Sequence, residues 1–439
     1  MIYKKFIIIS IILCINISTT IPNFTTTSAF DTKNSDNSET HVIENVPYAY
    51  QKELIYCEYA SMEIVLKYYG INISQDEIVY TIGGGYSMGY KPKLKTAFTP
   101  PIIKTPHKFR FWTDETTGGT QDYKFLAQLH GLRYSDIYPK FVVSHQKCWN
   151  EYWPKVKNYI KNDTPVVTGV DLFAWPPFLE LINISFTIPR IFAHTHIIVV
   201  LGFNETNESV CIHDPYLGYL NNSQKQKGFY RWIDKNDFKK AVGRIKWELK
   251  QIKYQLLVFE KTSNNPIPEE LAAELIHERN IEKMMGLKSA YDEDFINKNF
   301  HLFGINALKE LKKDLQNSFL IRIPLFRFID RWYPFTYAFC NTLDMMKDFF
   351  MWESINKNHT SQYLLENINK SEHHEEEGLL LEIESKHWET LWHLASDLES
   401  TILKNLLIKA IKISKSILDR MISTLSDIIV IQNMVIKDT

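Results

Sequence analysis

The sequence predicts an α+β protein, with a mixed domain over residues 44–262 and an all-helical region over 263–439. Three observations carry this. A cysteine opens an amphipathic helical stretch at 57–69, with Met62, Val65, Leu66 and Tyr69 on one face and Gly70 as its stop. Short apolar, β-branched runs follow at 166–170, 196–203, 210–214 and 254–259, the composition of strands in a half-buried sheet. Beyond Asn264-Asn265-Pro266 glycine nearly vanishes and apolar residues recur at helical spacing.

At 439 residues the chain has material for two domains, and 45% apolar with 23% charged residues is a globular composition. A formal net charge of −1 leaves no basic excess to neutralise phosphates, which excludes a nucleic-acid partner as the default. The N-terminus has targeting grammar. Lys4-Lys5 precede the apolar run Phe6 to Ile17, and a polar, small-residue stretch leads to Ala29. Residues 1–29 are therefore expected to be a signal peptide or an uncleaved anchor, and the protein secreted or extracytoplasmic. Residues 30–43, rich in Ser, Thr, Asn and Asp, are expected to be a linker. With Cys14 removed, Cys57, Cys148, Cys211 and Cys340 remain, without CxxC spacing for zinc. Cys148 with Cys211 is the pair to test for a bridge if Cys57 is to stay free. No cofactor and no metal is expected.

Val46-Pro47-Tyr48 delivers the chain to Gln51 and Cys57 in extended form. Ser74-Gln-Asp-Glu77 is a capping box that opens a second helix. Gly83-Gly84-Gly85 lacks the Lys-Ser/Thr ending of a phosphate loop and is expected to be a flexible turn. The Pro- and Gly-rich stretch 91–120 suits a surface segment, and helices are expected near 122–130 and 153–160. Residues 172–193, with Trp175, Pro176, Pro177 and Phe178, make an apolar loop that fits either a groove cover, a contact with a membrane surface or packing on the body. In the last half, helices are expected at 268–285, 304–317, 336–353, 376–400 and 401–435. The stripe Leu403, Leu406, Ala410, Ile413, Ile417, Met421, Leu425, Ile428 argues for internal packing, and its interrupting lysines argue against a membrane span. His373-His374 with Glu377 suits a solvated inter-helix loop better than a metal site.

The candidate site draws on four separate places. Cys57 sits at a helix start, where the positive end of the dipole favours a nucleophilic sulfur. Six residues earlier, the Gln51 amide is a candidate oxyanion donor. His196 begins a strand 139 positions downstream, within the ~130–150 spacing of papain-type enzymes. Asp214 ends the next strand, where a hairpin brings it beside His196 to accept an imidazole N–H. His194, two residues earlier, is the competing histidine. Taken singly, each residue also fits an ordinary structural role.

Together the motifs Gln51-x5-Cys57, His196-Ile-Ile-Val-Val-Leu-Gly202-Phe203 and Asp214-Pro215 resemble the bacteriocin-processing (double-glycine leader peptidase) branch of the papain-like cysteine peptidases. The resemblance spans about 44–262. It implies a papain-like domain with Cys57 as nucleophile, His196 as general base, Asp214 as its orienting partner, and Gln51 with the Cys57 N–H as oxyanion hole. The family usually follows its cysteine with Gly-Pro-Ala, whereas Glu58-Tyr59-Ala60 stands here, which alters the groove wall. More distantly, the chain resembles the acyltransferase of butirosin biosynthesis, which joins a Cys-His-Asp domain to a C-terminal region. These likenesses imply a peptide or amide substrate, with acyl transfer as the alternative reaction and a non-catalytic binding module as a third reading.

Overall fold

A computed structural model describes residues 39–86, 89–91, 110–112, 120–137, 145–181, 195–220, 226–244, 254–288, 302–316, 334–371, 373–404 and 407–437. The proposed signal segment, the competing His194 and the side chain of Cys340 lie outside the described residues, as does most of the Pro-rich stretch after Lys91. Glu39 to Thr439 form one compact unit.

The chain enters through a short strand β1 (Thr40–Val42), which the sequence had suggested as linker. It forms because its backbone pairs antiparallel with Gly202–Asn204. Helix α1 (Cys57–Tyr68) follows and stops at Gly70, whose φ of +88° suits glycine. Helix α2 (Gln75–Ile82) opens as its sequence predicts, with Ser74 accepting a hydrogen bond from the Glu77 N–H at 3.1 Å. Next come β2 (Gly89–Lys91) and β3 (Arg110–Trp112), then α3 (Thr120–Leu129), β4 (Leu132–Ile137) and the 17-residue α4 (His145–Lys161). Strand β5 (Val166–Asp171) leads through a 3₁₀ turn (Leu172–Ala174) into the short helix α5 (Pro176–Leu181). Strands β6 (Thr195–Asn204) and β7 (Ser209–His213) make the expected hairpin, followed by α6 (Pro215–Leu220), β8 (Arg231–Asp234), α7 (Lys235–Arg244) and β9 (Leu256–Lys261).

The main sheet is antiparallel and runs β4-β9-β5-β6-β7-β8, with β1 added to the far end of β6. Strand β9 therefore lies inside the sheet. Helices α1, α4 and α7 pack on β5 and β6, so these strands are buried nearly throughout instead of alternating with polar residues. Val166, Val170, Ile198, Val200 and Phe203 share one core with Val65 and Leu66 of α1 and Trp153 and Val156 of α4.

The C-terminal region is helical, in long elements: α8 (Glu269–Met285), a short strand β10 (Leu302–Phe303), α9 (Gly304–Gln316), α10 (Pro334–Glu366), α11 (His374–Lys404) and α12 (Leu407–Lys437). Helix α10 runs well beyond the expected 336–353. Ile417, Met421, Leu425 and Ile428 pack with Phe349, Phe350, Trp388 and Leu391, so this part of the α12 stripe faces inward. No helix among the described residues is long and apolar enough to cross a membrane.

The helical region docks on the mixed domain through features that sequence alone gives the wrong character. The Gly83–Gly85 turn is buried, where a flexible loop was expected. A Cβ on Gly85 would collide with Thr360 of α10, and the Gly85 carbonyl accepts from Lys357 Nζ at 2.7 Å. Glycine lets the helix approach this closely. His374 and Glu377 are likewise buried, not solvated: His374 Nε2 lies 3.3 Å from the Tyr80 hydroxyl and Tyr86 donates to Glu377 at 3.2 Å.

A buried ion cluster joins α3 to α8. Asp122 pairs with Arg279 and with Lys283, whose ammonium also donates to the Ile82 carbonyl at 2.7 Å. Asp122→Ala would leave two buried cations without a counter-charge, a loss of about 3–5 kcal/mol. In urea unfolding its midpoint should fall far more than that of Lys240→Ala, which removes only an exposed pair with Asp237. Equal midpoints for the two variants would contradict the account.

Candidate active site

Cys57 is the first residue of α1 and is partly exposed. The preceding Tyr56 provides no side-chain cap. The N–H groups of the first turn, that of Cys57 among them, have no intrahelical acceptor and are available to an anion. His196 is the second residue of β6 and is buried against the sheet. Asp214 follows β7, and the β6–β7 pairing brings its carboxylate to His196, with Nε2 to Oδ1 at 2.8 Å. The Cys57 side chain favours the charged form of the same imidazole.

Asp214 is fully buried, and its carboxylate is surrounded by donors. Oδ1 accepts from His196 and from the Tyr216 N–H (3.0 Å), and Oδ2 accepts from Trp175 Nε1–H (2.7 Å). Its main chain is also held: the N–H donates to the Gly228 carbonyl at 2.9 Å and the carbonyl accepts from the Tyr48 hydroxyl at 2.8 Å. A Cβ on Gly228 would overlap the Asp214 carbonyl oxygen. Tyr216 lays its ring 5.5 Å from that of His196 and packs on Phe178 and Tyr219.

Burial alone would lower the His196 pKa, but the Asp214 carboxylate and the Cys57 side chain outweigh it and hold the imidazole at about 10. Burial alone would raise Asp214, and the His196 charge with the surrounding donors lowers it instead. The neighbouring His213 has the opposite character. Its Nε2 faces the Val46 carbonyl at 3.2 Å and its Nδ1 accepts from the Tyr230 N–H at 3.0 Å, a pattern that needs a neutral ring. Burial pushes it down to about 4. One histidine of the hairpin is thus built to carry charge and the other to stay neutral.

Gln51 is buried beside the site. Its backbone N–H donates to the Pro215 carbonyl at 3.2 Å, which ties its loop to the Asp214 turn. Its amide nitrogen donates to the carbonyls of Glu53 and Leu54, each at 2.7 Å, so both amide hydrogens have acceptors within the loop. This differs from a side chain pointed at an oxyanion, and of its polar side-chain atoms Oε1 is left without a partner. Cys148 and Cys211 are buried on α4 and β7 and are not joined by a disulfide, so the bridge considered between them is not formed. Among the described residues, no cluster of His, Cys, Asp or Glu could hold a metal ion.

Sequence reasoning missed Trp175, Tyr48 and Tyr216 as parts of the site. Tyr216 had a usable signal, two residues after Asp214. Trp175 had none beyond its place in an apolar loop, because its role depends on the Asp171 cap that shapes the 3₁₀ turn (Phe173 N–H to Oδ1, 3.1 Å). The glutamate and tyrosine that replace Gly-Pro after Cys57 are also explained. Glu58 bonds to Tyr123 of α3, and Tyr59 bonds to Asn356 of α10.

A thiol at a helix start, a histidine at a strand start and an aspartate at the next strand end, on an antiparallel α+β frame, is the arrangement of a papain-like cysteine peptidase domain. Residues 43–249, just under half of the chain, match the Peptidase_C39 like family, and this domain is similar to that family. The match supports cysteine peptidase-type activity. No curated protein matches the chain.

The pair sets two pH limits. Folding raises His196 from 6.5 to about 10, so its contribution to stability is complete below pH 6.5 and is lost as the pH rises through about 10. Asp214 is lowered from 3.8, so its contribution is complete above that value and is lost as the pH falls through its folded-state pKa. Trp175→Phe removes one donor from a buried carboxylate and raises that folded-state pKa. Acid unfolding followed by circular dichroism should therefore begin at a higher pH in Trp175→Phe, and an unchanged acid midpoint would contradict the assignment.

Proposed function

We propose that the protein is an exported cysteine peptidase or amidase that cleaves a peptide or amide bond through a thioester on Cys57. The observation that carries this reading is the buried His196, bonded through Nε2 to Asp214 at 2.8 Å and held in its charged form by that carboxylate together with the Cys57 side chain. In the reaction, sulfur attacks the scissile carbonyl carbon while the proton already rests on the charged His196. The oxyanion forms near the Cys57 N–H, a contribution typically worth ~3 kcal/mol. Collapse breaks the C–N bond, and His196 returns the proton to the leaving amine. Water then attacks the thioester, giving up its proton to His196, and releases the acid and the thiol. Asp214 keeps the imidazole oriented and stabilises its charged form.

The motifs favour the bacteriocin-processing branch as nearest in type, and Glu58-Tyr59 sets the groove apart from it. Export is supported by the Lys4-Lys5 and Phe6–Ile17 pattern. A second reading, amide-forming acyl transfer with an amine in place of water, is favoured by one observation: the helical region packs directly on the start of the catalytic helix through Tyr59 and Asn356. Product analysis with an added amine acceptor separates the two.

Incubation with a thiol-directed peptidyl electrophile followed by mass spectrometry tests the reading. Cys57→Ala should abolish labelling, and Cys148→Ala should leave it intact because that thiol is buried. Labelling that survives Cys57→Ala would overturn the proposal.

A further inference from the structure

The loop between Gln51 and Cys57 is held from three sides. Its first residue bonds to the Pro215 carbonyl. The Lys52 N–H donates to Gln75 Oε1 at 2.9 Å, and Gln75 Nε2 returns a bond to the Tyr50 carbonyl at 3.0 Å. The third hold comes from the helical region. His359 of α10 places Nε2 3.3 Å from Glu53 Oε1 and Nδ1 2.9 Å from Asp76 Oδ1. Its ring lies 5.1 Å from that of Tyr56, the residue just before Cys57.

Glu53 is the centre of the loop. Its carbonyl accepts from the Gln51 amide and from the Tyr56 N–H, and its carboxylate meets His359. A neutral imidazole has one N–H and suits only one of two carboxylates, whereas an imidazolium suits both. Asp76 is also met by Lys52 Nζ at 2.5 Å, so the loop, α2 and α10 share one alternating set of charges. The side chain of His359 is only 12% exposed, which limits solvent screening of these contacts.

We propose that His359 is a positioning residue for the catalytic loop: by tying Glu53 to Asp76, it fixes the turn that presents Gln51 and Cys57, and so makes the helical region part of the active-site architecture. The mechanistic half of this rests on the peptidase reading above; the structural half does not. His359 touches no reacting atom. It acts through Glu53, whose carbonyl orients Gln51 and the backbone that enters α1.

The test uses the full chain and two readouts, amide hydrogen exchange over residues 51–57 and the rate of Cys57 alkylation by iodoacetamide. His359→Gln should speed exchange in this loop by about tenfold or more, with α4 and β6 unchanged. It should also slow alkylation by about fivefold, Glu53→Gln should do the same, and the double variant should be no worse than either alone. His359→Arg, which keeps a charge able to reach both carboxylates, should restore most of both properties. Glu53 is partly exposed, so Glu53→Gln supplies the answer even if His359→Gln fails to fold. Unchanged loop exchange in Glu53→Gln, or additive effects in the double variant, would overturn the proposal. Exchange requires no turnover, so a Cys57 inert to both iodoacetamide and a peptidyl electrophile would sink the peptidase reading while the loop assignment is still decided by exchange.

Discussion

A carboxylate with no access to water governs the architecture of the site. Burying an unpaired charge costs several kcal/mol, so a buried Asp214 is tolerable only if donors surround it. Each donor comes from a different element: His196 from β6, the Tyr216 N–H from the first turn of α6, and Trp175 from the loop after β5. The surrounding structure can be read as what holds those donors in place. Arg244 pairs with Asp171 at 3.0 Å while Asp171 caps the turn before Trp175. Gly228, in the turn before β8, lets that segment come close enough for its carbonyl to accept the Asp214 N–H. The result is one charged histidine and one neutral histidine beside it.

The helical region is fitted to this site and is more than a C-terminal appendage. Its long helix α10 reaches the buried Gly85 turn through Lys357 and Thr360, helix α1 through Asn356 and Tyr59, and the loop before it through His359. These contacts fall within residues 356–360, little more than one turn of the helix, so a single element meets the Gly85 turn, the entry loop and the first turn of α1. Tyr59 takes the place that proline occupies in the family pattern. Here that position carries a side chain committed to the neighbouring helical region.

What could be read in the sequence was local or strongly patterned. The α1 stop at Gly70, the Ser74 cap, the β6–β7 hairpin and the Cys57, His196 and Asp214 positions rest on propensity and periodicity, which act over a few residues. Strands β1, β4 and β8 escaped notice because they are short and gain their pairing from distant partners. Gly83–Gly85 was misjudged for a related reason, since its glycines answer to a helix that arrives some 270 residues later. Gln51 shows the limit at the site itself. Its position beside the cysteine was legible, but whether its amide points at a substrate or at its own loop depends on the Glu53 and Leu54 carbonyls, and no sequence pattern reports their direction.

The charge state of His196 tests the central claim most directly. Histidine-selective NMR across a pH series, assigned with His196→Asn, reads it without a substrate. The account predicts an imidazolium that persists past about pH 8 and titrates near pH 10, with a lower midpoint in Asp214→Asn. A wild-type midpoint near the ordinary value of 6.5, unmoved by Asp214→Asn, would contradict it.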